Sequence, residues 1–146
     1  MSTPAPLPDE RTFVTIGTDR YKTTIKTGSH TLIADEPEKI GGTDLGPDPF
    51  SLLLASLGSC AAITARMYAD RKAWPLDKIE MRLSIEEVTR EGAKTKEVVK
   101  DVKLIGPLSP YQKERIIEMM DKCPVQRFLA GENLYQTNLM TLYNEP

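Results

Sequence analysis

Apolar positions change period several times along this chain. Between Arg11 and Asp35 they alternate: Phe13, Thr15 and Gly17 against Thr12, Val14 and Ile16, then Tyr21, Thr23 and Ile25 on the same period. Alternation with dense β-branched residues predicts strands, and Thr18-Asp19 and Thr27-Gly28-Ser29 supply turn chemistry, so three short antiparallel strands are expected near 12–17, 20–27 and 30–34. After the glycine- and proline-rich loop DEPEKIGGTDLGPDP the period becomes helical, with Leu53, Leu57, Cys60 and Thr64 three or four apart on one face. Leu52, Leu54, Ala55, Ala61, Ala62 and Ile63 fill the other faces, which predicts a helix buried on every side as far as Arg66. Asp48 as N-cap, Pro49 at the first helical position and Trp74-Pro75 at the far end set its limits. Ser51, Ser56, Gly58 and Ser59 interrupt it too often for a membrane span, which needs about 20 apolar residues in a row.

Alternation returns at Ile79, Met81, Leu83 and Ile85 against Glu80, Arg82, Ser84 and Glu86, a strand with one wet face. A polar turn from Arg90 to Lys96 leads to a returning strand, Val98 to Ile105. Ser109 and Pro110 open a capped helix to Lys122 with Ile116, Ile117 and Met120 as its buried stripe. Cys123-Pro124 interrupts it, a short helix follows to Gly131, and a final strand is expected from Asn133 to Leu142. These elements make one α+β domain over residues 11–146, preceded by a loose proline-bearing arm over residues 1–10. A helix apolar on so many sides exceeds what one thin sheet can cover, which points to a second copy of the chain.

Composition narrows the function. An apolar fraction of 40% is enough for a core, while a net charge of -2 without a basic cluster gives no footprint for nucleic acid. The N-terminus MSTPAPLPDER has no apolar run, so a cytoplasmic location is expected, where thiols stay reduced unless they cycle. Two cysteines and one histidine are too few for a four-ligand zinc site in one chain. Either the cysteines form a redox pair or both are inert. Cys60 lies mid-helix, beyond the reach of the helix dipole, and alone it fits a small buried hydrophobe. Cys123 precedes Pro124 at a helix start, where backbone N–H groups favour a thiolate, so on local grounds it is the more acidic thiol. His30 reads as a strand histidine, Glu86-Glu87 and Glu36/Glu38 as solvated faces, and Gly41-Gly42 lacks the Lys-Ser/Thr of a phosphate loop.

The stretch GGTDLGPDPFSLLLASLGSCAAITARMYADRKAWPL, with CPVQRFL some fifty residues later and SHTLIADEP before it, resembles the OsmC/Ohr family of thiol-dependent hydroperoxide reductases over roughly residues 10 to 140. The resemblance implies an intertwined homodimer with two central cysteine-bearing helices packed between antiparallel sheets. It implies Cys60 as the peroxide-attacking thiol and Cys123 as the resolving one, forming a disulfide through a sulfenic acid. It implies a small organic hydroperoxide as substrate and a dithiol reductant protein, lipoyl-type in the best-known members, with no metal, flavin or membrane. Peroxidase members carry a glutamate ten residues before the reactive cysteine and an arginine from the N-terminal strands. Phe50 stands in the first position, and Arg20, with Lys39 behind it, is the local candidate for the second. Gln126 replaces a histidine frequent after CPV in this branch. The alternative is a non-enzymatic module of the same fold with dormant thiols, holding an apolar ligand or sensing redox state.

Overall fold

The computed structural model describes residues 11–140; the expected N-terminal arm, residues 1–10, lies outside them, as do residues 141–146. Three strands, β1 (Thr12–Ile16), β2 (Thr23–Thr27) and β3 (His30–Ala34), form an antiparallel sheet in the order β1-β2-β3. β2 and β3 join through Gly28-Ser29, with Thr27 opposite His30. The loop that follows winds through a short 3₁₀ turn, Glu38–Ile40, into helix α1 (Pro49–Arg71). Strands β4 (Lys78–Arg90) and β5 (Ala93–Ile105) make a separate hairpin, and helices α2 (Pro110–Met120) and α3 (Pro124–Ala130) complete the order.

The expected helix starts are found. Asp48 caps α1 by accepting from the Phe50 and Ser51 N–H groups at 3.0 and 3.1 Å, with Pro49 following. Ser109 and Gln112 form a reciprocal capping box at the start of α2. α1 ends in a Schellman arrangement, Trp74 N–H to Ala69 C=O and Ala73 N–H to Asp70 C=O, with Ala73 in the left-handed region at φ 52°. The β4–β5 turn is tighter than expected. Arg90 pairs with Ala93 across Glu91 and Gly92, both at positive φ, the conformation that matches the twist of the flanking strands. β5 therefore starts at Ala93, not Val98, and α2 stops at Met120 instead of running to Lys122.

One core forms between α1, α2, α3 and the inner face of the hairpin. Leu57, Ala61, Ala65, Tyr68 and Ala69 of α1 meet Ile116 and Met120 of α2 and Cys123, with Leu76 and Leu108 closing the ends. The alanines at 61, 65 and 69 recur every four residues and are fully buried, so another element can lie close along that stripe. Ile79, Met81 and Leu83 of β4 and Val102 and Leu104 of β5 cover it from the sheet side. Gly58 belongs to the same contact: a Cβ there would sit 2.8 Å from Leu83 Cδ1.

Two expectations fail in the single chain. α1 is buried along one stripe, not all round: Leu53, Ile63 and Met67 are exposed. By length and composition alone α1 is long and apolar enough to cross a membrane, despite the interrupting serines and Gly58, and the described elements leave much of it uncovered. The final strand is also missing over its described part. Residues 133–140 are irregular, none of the five strands pairs with them, and Leu134, Tyr135, Leu139 and Met140 project into solvent. Both sheets keep free edges, at β1 and β3 and at β4 and β5, and among the described residues none of these is taken up by that segment. β1 is likewise exposed at every position.

Candidate thiol site

The two cysteines, far apart in sequence, meet at the core's edge. Cys60 sits on the flank of α1 beside the buried stripe and is half-buried. Cys123 is completely buried at the α2–α3 junction. Pro124 cannot continue α2 and drives the preceding residue to extended geometry, observed at φ −62°, ψ 146°. That conformation makes Cys123 the N-cap of α3, its Sγ accepting from the Gln126 N–H at 3.4 Å. Cys60 packs against the cluster that contains Cys123, near enough for its thiol to influence ionisation of the buried one.

The helix start at Cys123 is as expected, but the acidity drawn from it is not. Burial pushes the Cys123 thiol above its ordinary value, and the neighbouring Cys60 thiol adds to the effect. The Gln126 N–H and the positive charge of Lys100 pull the other way without overcoming them. Lys100 is a residue that sequence reasoning missed. Its side chain is only 13% exposed, and its Nζ bonds Asp121 Oδ1 at 2.7 Å and Gln126 Oε1 at 2.5 Å.

Arg20 lies on neither of the elements that carry the cysteines. It occupies the β1–β2 turn at φ 49°, and its Nη1 donates to the Gly41 carbonyl at 3.1 Å. Phe50 is exposed at the start of α1. The carboxylate nearby, Asp48, is engaged as N-cap and with the Ser51 hydroxyl, an arrangement that holds it below the usual carboxylate range. His30 is exposed at the β2–β3 turn. No cluster of three or more His, Cys, Asp or Glu suited to a metal occurs among the described residues.

The loop ahead of α1 is built on Asp35, which is buried. Oδ1 accepts from the Glu36 N–H at 2.8 Å and the Thr43 N–H at 3.4 Å; Oδ2 accepts from Thr43 Oγ1 at 2.5 Å and the Leu45 N–H at 3.2 Å. These bonds, the Thr43 hydroxyl foremost, bring its pKa down to about 2. Gly42 and Gly46 permit the close winding: a Cβ would lie 1.8 Å from Glu36 O and 2.2 Å from Ile33 O respectively. Asp35 thus anchors the loop between the N-terminal sheet and the thiol-bearing helix.

Residues 42–136 match the family model described as OsmC-like protein. The chain belongs to the OsmC-like family. An OsmC-like protein from Mycoplasma pneumoniae has a similar fold, at TM-score 0.70 and 22% identity, over 85% of this chain and 89% of that one. An organic hydroperoxide resistance protein OsmC from Legionella pneumophila matches at TM-score 0.64 and 19% identity, over 87% and 93%. An organic hydroperoxide resistance protein from Elizabethkingia anophelis matches at TM-score 0.64 and 17% identity, over 86% and 91%. No functionally curated protein matches the sequence. At these identities the solved structures establish the OsmC-like fold.

Proposed function

We propose that this OsmC-like protein is a cytoplasmic homodimer that reduces organic hydroperoxides with Cys60 as the attacking thiol and Cys123 as the resolving one. The observation that carries the reading is the meeting of a half-buried thiol on α1 with a fully buried one at the N-cap of α3. The hydroperoxide-resistance names of the two relatives above support the substrate class. In the first step the Cys60 thiolate takes the distal oxygen of ROOH, the O–O bond breaks, and ROH leaves with a proton. The resulting sulfenic acid condenses with Cys123, forming the S–S bond and releasing water. An external dithiol then returns both sulfurs to thiols and becomes a disulfide itself. No resident cofactor takes part.

The partner copy has three tasks in this reading. It covers the bare side of α1 at Leu53, Ile63 and Met67, and it offers an edge to residues 133–140. It also brings an Arg20 that can approach Cys60 from the other chain. The test is consumption of an alkyl hydroperoxide by the protein with a dithiol reductant, together with sedimentation at twice the 16.3 kDa chain mass. Turnover that survives Cys60→Ser, or no turnover by the unaltered chain, rejects the enzymatic reading. One observation favours a second reading: Phe50 puts an exposed aromatic ring where the family's carboxylate is expected. The protein would then hold an apolar ligand at the dimer seam with dormant thiols. A ligand-dependent rise in melting temperature, with both cysteines staying reduced under peroxide, identifies that case.

A further inference from the structure

Period-two geometry places Lys100 on the wrong side of its strand for a lysine. Ile79, Met81 and Leu83 of β4 pair with Leu104, Val102 and Lys100 of β5, and all but Lys100 are apolar residues packed on the core. Lysine is almost never buried unless paired, because an unpartnered ammonium loses its hydration. Here the partners are specific. Nζ bonds Gln126 Oε1 on the first turn of α3, and the Gln126 backbone N–H bonds Cys123 Sγ. Asp121 also holds Nζ, but its carboxylate is 57% exposed, so water screens it better than it screens the buried ammonium. The net result is a positive charge fixed at the end of α3 that begins with the buried sulfur.

We propose that Lys100 is a positioning residue for the disulfide steps: its ammonium stabilises negative charge on Cys123 Sγ. The proposal rests on the two-cysteine reading above and adds a residue to it. In the forward step the Cys123 thiolate attacks the Cys60 sulfenic sulfur, the S–S bond forms, the S–O bond breaks, and hydroxide leaves to become water on protonation. In the return step a thiolate of the dithiol attacks Cys60 Sγ, the S–S bond breaks, and the electron pair goes to Cys123. The second thiol then attacks the mixed disulfide and frees Cys60 as a thiolate. The dithiol is oxidised by two electrons and the protein disulfide reduced by two. A leaving sulfur of lower pKa departs faster, so Lys100 favours attack that expels Cys123.

The experiment titrates Cys123 directly. In the Cys60→Ser chain, labelled with ¹³Cβ-cysteine, the single resonance reports ionisation of Cys123 without peroxide or reductant. The groups facing this sulfur are then Lys100 from β5 and, through it, Asp121 from the α2–α3 junction. Lys100→Met and Lys100→Gln are each expected to raise the midpoint by roughly 0.3–0.5 pH unit, the direction that loss of an opposite charge gives, and small because Lys100 is the weakest of the influences on Cys123. Lys100→Arg is expected to stay near the parent. In the otherwise unaltered chain, reduction of the preformed disulfide by dithiothreitol is expected to slow roughly 1.5-fold in the neutral variants. An unmoved midpoint in whichever neutral variant folds overturns the inference and leaves the hydroperoxide reading intact. A raised midpoint in a chain that never consumes hydroperoxide upholds the electrostatic role and rejects the enzymatic reading alone.

Discussion

Oxidation by one equivalent of an alkyl hydroperoxide should make the protein more heat-stable. A Cys60–Cys123 bond closes a loop of roughly 60 residues, and in the chain-entropy model that removes about 14 cal/mol/K from the unfolded state, or about 4 kcal/mol at 25 °C. Unfolding entropy near 2.1 cal/mol/K per residue amounts to about 300 cal/mol/K for this chain, so the melting temperature should rise by about 10–15 °C. The assay is calorimetry of the reduced and oxidised protein, with tryptic mass spectrometry to identify the linked peptides. Cys60→Ser and Cys123→Ser should each abolish the shift. A lowered melting temperature with the link formed would refute the premise that the two sulfurs already face each other, since closing the bond would then be pulling α3 out of the core. Both thiols remaining free after exposure would sink the redox reading altogether.

Three further outcomes follow from local geometry. Ile116→Ala removes a fully buried side chain between α1 and α2 and should cost about 2–5 kcal/mol in urea unfolding. Ala73→Gly should stabilise by about 0.5–1 kcal/mol, because Ala73 caps α1 in the left-handed region; no gain on thermal unfolding would contradict that cap. Asp35 has a folded-state pKa of about 2 against an ordinary 3.8, so the unfolded chain takes up its proton first. Its stabilisation is present above the higher of these values and is lost as the pH falls through the lower. The stability gap between the wild type and Asp35→Asn should therefore narrow from pH 4 to pH 2, and a gap independent of pH would show that the carboxylate's charge is immaterial.

Local chemistry carried the helix limits into view. Asp48-Pro49 and Ser109-Pro110 begin helices because a capping oxygen and a fixed φ act within one turn, and the chain elsewhere cannot easily override them. The hairpin was visible through its alternation, but not its length. Ala93 to Glu97 has few apolar residues to reveal a strand, and pairing with β4 supplies the order. The segment after Asn133 alternates well enough to suggest a strand, yet strand formation depends on pairing, and none of the described strands pairs with it. α1 misled in the same way. Its apolar circumference is a property of its sequence, whereas burial is a property of what surrounds it.

The thiols show where reading by neighbours along the chain stops being sufficient. The Cys123-Pro124 step correctly locates a helix start, and the Gln126 N–H does point at the sulfur. One such donor cannot offset removal of the whole side chain from water, so burial decides the direction. A countering charge has to arrive from another element, and it does so through strand parity. In the row Leu104, Val102, Lys100, the lysine breaks an apolar series where its side chain reaches Gln126 of α3. That break was present in the sequence, but it becomes chemically legible only when β4 fixes the register and assigns the row to the core. A charged residue that violates an otherwise strict inward alternation is thus a better guide to this site than any residue adjacent to either cysteine.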